Sequence, residues 1–111
     1  MQKAWSWSVT GYNFVRQKDH EQIWRICRQA GLAGVEGAPE LFPDESPTQL
    51  EDLARRYRQA GVGIPSFHLP FEAGDDLASF YETARRRAVE RMGTWMERAS
   101  RLGAGVAVQH P

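Results

Sequence analysis

The chain has 111 residues, 41% of them apolar and 25% charged, with a formal net charge of zero. Such values fit a single globular domain, read here as 1–111, with a modest core. Zero net charge argues against a broad footprint for nucleic acid, and no run approaches the ~20 apolar residues of a membrane helix. No charged n-region precedes an apolar run, so a cytoplasmic location is the expectation. The single cysteine, Cys27, excludes an internal disulfide. Its neighbours Ile23, Trp24, Ile26 and Ala30 describe a buried, inert thiol.

Residues 4–9, Ala-Trp-Ser-Trp-Ser-Val, alternate strictly and predict a first strand. A connection from Tyr12 to Lys18 leads to Asp19, which caps a helix with Gln22 at the capping-box position. Ile23, Ile26, Cys27 and Ala30 form its apolar stripe, and Gly31 ends it. Residues 32–36 predict a short strand. A loop over 37–45 follows, and Ser46-Pro47-Thr48-Gln49 starts a second helix. That helix buries Leu50, Leu53, Ala54 and Tyr57 and stops at Gly61. A third strand spans 62–69, where Pro65 requires an edge position or a bulge because it donates no ladder hydrogen bond. After an acidic loop from Pro70 to Asp76, a long helix over 77–102 carries the stripe Leu77, Tyr81, Ala84, Ala88, Met92, Trp95, Ala99 and Leu102. A last strand covers 104–110. Arg85-Arg86-Arg87 reads as a solvated helix face, Glu72, Asp75 and Asp76 as solvated caps, and His20 as a solvated first-turn residue.

Three times a helix closes on glycine and passes straight into an apolar strand, at Gly31, Gly61 and Gly103. The order β-α-β-α-β-α-β predicts an α/β fold: four parallel strands in sequential order with helices on one face. Chemistry in such sheets sits at the carboxyl ends of the strands. His68 and His110 each follow a joint glycine by seven residues, and Glu36 follows Gly31 by five. Alternation then projects all three onto one face. Imidazoles and a carboxylate meeting there suit a divalent metal or a polar substrate. Trp5 and Trp7 are expected in the core. Tyr12 and Phe14, in the loop after the first strand, are the better candidates for stacking on a ligand.

The segments Ala30-Gly31-Leu32-Ala33-Gly34-Val35-Glu36, Gly63-Ile64-Pro65-Ser66-Phe67-His68-Leu69-Pro70 and Ala99-Ser100-Arg101-Leu102-Gly103-Ala104-Gly105-Val106-Ala107-Val108-Gln109-His110-Pro111 resemble the xylose isomerase-like TIM barrels. The resemblance implies a (β/α)8 barrel, of which this chain would be the N-terminal (βα)3β half. It implies a metal-assisted isomerase or epimerase acting on a sugar or sugar phosphate, with Mn, Mg, Co or Zn in the complete barrel. In such enzymes the core metal ligands and the carboxylate base come from later strands. This chain would therefore bind no metal tightly and be inactive alone. His68, His110, Glu36, Tyr12 and Phe14 would line the substrate pocket. In the endonuclease IV branch of the resemblance, His68 and His110 would instead hold zinc for phosphodiester hydrolysis. A third expectation is non-catalytic: an inner face of Ile64, Val106 and Val108, uncovered in a half-barrel, would drive homo-oligomer formation.

Overall fold

A computed structural model describes residues 5–16 and 18–110. Ala4 of the expected first strand, Gln17 of the following loop and Pro111 lie outside those residues. The fold is set by one local device used three times. Gly31, Gly61 and Gly103 take φ of 72°, 80° and 87°, the left-handed region that costs glycine nothing. At each, the glycine N–H donates three residues back and the next N–H five residues back. The second bonds are Leu32 to Cys27 (2.8 Å), Val62 to Tyr57 (3.0 Å) and Ala104 to Ala99 (3.1 Å). This is the Schellman closure, which satisfies the last carbonyls of a helix and turns the chain back.

Helices α1 (His20–Gln29), α2 (Pro47–Gln59) and α3 (Glu82–Arg101) alternate with strands β1 (Ser8–Thr10), β2 (Gly34–Glu36), β3 (Ser66–His68) and β4 (Val106–Val108). The expected caps are in place. Asp19 accepts from the Gln22 N–H, and Ser46 and Gln49 form a reciprocal box with Pro47 in the first turn. Helix α3 starts at Glu82 rather than at residue 77. The Asp76 carboxylate accepts from the Ala78 N–H (2.8 Å) and the Ser79 hydroxyl from the Tyr81 N–H (3.2 Å). Such local side-chain bonds offer the backbone an alternative to the first helical turn.

The four strands do not form one continuous four-stranded sheet. β1 pairs with β2 and β3 with β4, both parallel, giving two two-stranded ladders. Between the ladders, Gly34 meets Gly63 and Gly37 meets Phe67, so three residue steps on one side face four on the other. Hydrogen bonds flank that step: Val35 N–H to the Gly63 carbonyl (3.0 Å) before it, and His68 N–H to the Gly37 carbonyl (2.8 Å) after it. The extra residue is a bulge at Ile64–Pro65. It resolves the proline, whose own carbonyl accepts from the Gly105 N–H (3.1 Å). The bulge also turns Ile64 off the open face. It is buried, near Phe67 and the position of a Cβ on Gly37, while Pro65 is exposed beside Gly34.

The core lies on one side of the strands. Val35, Ile64 and Phe67 pack there with Ile23 and Cys27 of α1, Leu50 and Tyr57 of α2, and Met92 and Ala99 of α3. On the other side Ser8, Thr10, Val106 and Val108 are exposed. Trp5 and Trp7 are not in the core. They are 86% and 66% exposed and lie against each other, because no described element packs over them. His20 is not solvated either. Its ring stacks on Phe42 with centroids 4.9 Å apart, and Nδ1 lies 2.8 Å from the Tyr57 hydroxyl. Burial pushes its pKa down and that of Tyr57 up. Asp75 is buried rather than solvated, with its carboxylate 2.7 Å from Arg91 Nε. Among the described residues no helix is long and apolar enough to cross a membrane.

Two glycines test the packing. A Cβ on Gly11 would meet the Glu36 carbonyl oxygen and stand 2.8 Å from Leu41 Cδ1. Gly11→Ala is expected to cost about 1–3 kcal/mol in urea unfolding. Gly93, inside α3 with nothing near its Cβ position, is expected to gain roughly 0.5–1 kcal/mol as Gly93→Ala. The depressed pKa of His20 also has a sign. The stabilisation from its neutral ring is complete above about 6.5, the unfolded value, and is lost as pH falls from there through the lower folded pKa. The urea midpoint should therefore drop more between pH 7 and pH 5 in the wild type than in His20→Gln.

Candidate functional site

β3 and β4 deliver the two histidines. His68 is the last residue of β3, opposite Val108, so His110 stands two residues beyond its level on the same face. The rings still meet: His68 Nε2 lies 2.8 Å from His110 Nε2, with centroids 4.8 Å apart. His68 Nδ1 lies 2.9 Å from the Leu69 carbonyl, which can only accept. The proton of the neutral His68 ring is therefore assigned to Nδ1, leaving Nε2 to accept from His110 Nε2–H. That assignment leaves His110 Nδ1 as an outward lone pair. His68 is buried and His110 exposed.

Tyr12 comes from the 3-10 turn Gly11–Phe14 that directly follows β1, capped by Thr10. Its hydroxyl is 3.4 Å from His68 Nδ1, and the two rings meet edge-on with centroids 5.4 Å apart. Since His68 Nδ1 already carries a proton, the phenol's own O–H is free to donate. Its pKa is pushed up to about 12, first by burial and then by Glu40 and Glu36, so it stays protonated at neutral pH. Phe14, in the same turn, faces the other way. It is 8% exposed and belongs to the core. Glu36 is opposite Thr10 in β1 and accepts from the Ser66 hydroxyl at 2.9 Å. Ser66 is one layer below His68, so Glu36 sits beneath the histidine pair rather than beside it.

Two residues outside the sequence expectation complete the cluster. Phe71, half exposed in the loop after β3, lies 4.8 Å from the His68 ring and 4.9 Å from the His110 ring, centroid to centroid. It also meets Tyr12 edge-on at 6.0 Å. Glu40, in the turn Pro39–Leu41, acts on Tyr12 through its charge. The aromatic at position 71, three residues past a strand-end histidine, was the available signal. Loop residues have no alternation from which their direction can be counted.

The metal implied by the resemblance can be tested against these side chains. Two nitrogens bound to one tetrahedral zinc stand about 3.3 Å apart, whereas His68 and His110 are hydrogen-bonded at 2.8 Å. Glu36 is engaged with Ser66, and no third ligand joins the pair among the described residues. The residues present do not make a metal set on their own. What they offer is an acceptor at His110 Nδ1, a donor at Tyr12 and an aromatic face at Phe71.

Polar side chains gathered at the carboxyl ends of parallel β-α units are where α/β folds place their sites. The sequence profile of the xylose isomerase-like TIM barrels matches residues 24–111, and the chain belongs to that family. No curated protein matches it.

The two histidines should differ in structural weight. His68→Ala strands the Leu69 carbonyl and opens a buried site, and is expected to cost about 1–3 kcal/mol in urea unfolding. His110→Ala, at an exposed position, should stay within about 0.5 kcal/mol of the wild type.

Proposed function

We propose that this chain contributes the first strand ends of a sugar isomerase or epimerase pocket, for a sugar or sugar phosphate. The observation that carries the reading is the contact of His68, His110 and Tyr12 at the carboxyl ends of β3, β4 and β1 in a chain of this family. His110 Nδ1 would accept from a sugar hydroxyl. Tyr12 O–H would donate to a sugar oxygen, and Leu69 would hold the His68 ring that in turn orients His110. A divalent metal, if recruited in the full reaction, would supply carbonyl polarisation. No step is assigned to it here, because these residues do not form its ligand set. Glu36 is held by Ser66 one layer down, and no other carboxylate is hydrogen-bonded to the pair among the described residues. The chain is therefore expected to bind sugar without interconverting it.

The endonuclease IV-like alternative requires attraction for a polyanion. Zero net charge, and carboxylates at Glu36 and Glu40 acting on Tyr12, favour the sugar reading. The discriminating measurement is proton NMR of the imidazole signals. D-Fructose should shift the His68 and His110 ring signals, and His110→Ala should abolish the response. A duplex with an abasic site should bind without saturation at physiological salt. Saturable binding or incision of that duplex, lost in His110→Ala, would reverse the assignment to phosphodiester hydrolysis.

A second reading, self-association, is favoured by a separate observation. Val106 and Val108 are 62% and 39% exposed on the open face, and β1 and β4 each pair on one side only among the described residues. Unpaired edges and uncovered apolar faces favour association. Sedimentation equilibrium should show a dimer or larger species that dissociates in Val106→Lys; a monomer at high micromolar concentration would rule it out.

A further inference from the structure

The loops after β1, β2 and β3 form the rim around the histidine pair, and their charges are lopsided. Over 11–19 they carry Arg16, Lys18 and the capping Asp19. Over 37–46 they carry Glu40, Asp44 and Glu45, and over 69–81 Glu72, Asp75 and Asp76, with no arginine or lysine in either. Arg91 neutralises Asp75 and approaches Glu72, and Arg98 approaches Glu45. Glu40, Asp44 and Asp76 remain, and Glu36 lies beneath the pair. Most of the chain's arginines sit on α1, α2 and α3, where Arg25, Arg55, Arg86 and Arg101 are paired with acids. Arg16 and Lys18, in the loop after β1, are the cations of these three loops, and the rim carboxylates outnumber them, so a phosphate brought to this rim would meet a net like charge.

Phe71 supplies the complementary half. It is 51% exposed although three rings abut it, those of Tyr12, His68 and His110. An aromatic held by neighbours on one side and open on the other is a platform for the apolar face of a sugar ring. The polar atoms beside it, an acceptor at His110 Nδ1 and a donor at the Tyr12 O–H, suit hydroxyls.

Resting on the sugar isomerase or epimerase reading above, we propose that Phe71 is the specificity-determining platform of this site and that its ligand is a free, unphosphorylated sugar. A hydroxyl-bearing ring stacks on Phe71 and bonds to His110 and Tyr12, and the acidic rim disfavours the phosphorylated counterpart.

The test is binding to the full chain, with D-fructose and D-fructose 6-phosphate as probes and the His68 and His110 ring signals as readout. D-Fructose should bind at least as tightly as its phosphate, with the difference shrinking as salt is added. Phe71→Ala should weaken D-fructose binding about two- to tenfold, and Phe71→Trp should restore it. Because Phe71 is half exposed, both variants should keep the wild-type urea midpoint, which separates lost stacking from lost folding. Tenfold tighter binding of the phosphate, unchanged D-fructose binding in Phe71→Ala, or no binding of either probe would overturn the proposal. Failure of the broader reading has a different signature: saturable, His110-dependent binding of abasic-site DNA.

Discussion

The left-handed glycine turn at the end of each helix is the constraint on which the rest of the molecule depends. At Gly31, Gly61 and Gly103 it satisfies the last helical carbonyls with the same pair of backbone bonds and sends the chain back along the helix it has just left. Each reversal launches a strand parallel to the previous one and starts its alternation at a known residue. Any residue with a Cβ would be strained at these φ values. The apolar residue after each glycine, Leu32, Val62 or Ala104, then lies over the helix it leaves and ties the joint to the core. Because the three joints are alike, the strand ends that follow them arrive at one rim.

The bulge at Ile64–Pro65 decides what that rim contains. Three steps on the β2 side face four on the β3 side, so the alternation of β3 shifts relative to its glycine. Ile64 enters the core, Pro65 moves to the open face, and Ser66 arrives opposite Val106 and within reach of Glu36. With Ser66 level with Glu36, His68 stands two residues, one layer on the same face, above the carboxylate. His110 reaches its partner only because it extends two residues beyond the Val108 level. The layered order, carboxylate and hydroxyl below and imidazoles above, is a product of this register.

Arginine in this protein works mainly on the helical side. Arg98 donates two 2.6 Å bonds, to the Glu45 and Phe42 carbonyls, and its guanidinium lies over the Trp95 ring. That clamp fastens the loop after β2 to α3. The same loop carries Glu40, whose charge helps keep Tyr12 protonated. Most of the arginines thus act on the helical side, and apart from Arg16 and Lys18 the rim loops carry carboxylates, imidazoles and aromatic faces.

Much of the architecture was legible in the sequence because its determinants are local. Glycine after an amphipathic stretch, Ser-Pro-x-Gln at a helix start and Asp19 before its stripe each act within a few residues, and each appears where read. So does the common face of His68 and His110, which the pairing of His68 with Val108 fixes, although the bulge breaks the count from Gly61 on which it was read. What lay beyond the sequence depended on residues distant along the chain. Trp5 and Trp7 alternate like core residues, but burial requires a partner layer and none of the described elements covers them. His20 reads as a solvated first-turn residue until Phe42 and Tyr57 close over it. Phe14 and Phe71 are both loop aromatics, and only the tertiary structure sends one to the core and the other to the site. The sequence by itself determined the β-α order and the joints, because backbone sterics and alternation are short-range. The tertiary structure alone decided the split into two ladders, the layer separating Glu36 from the histidines and the aromatic floor at Phe71, because register and loop direction are settled by packing between segments.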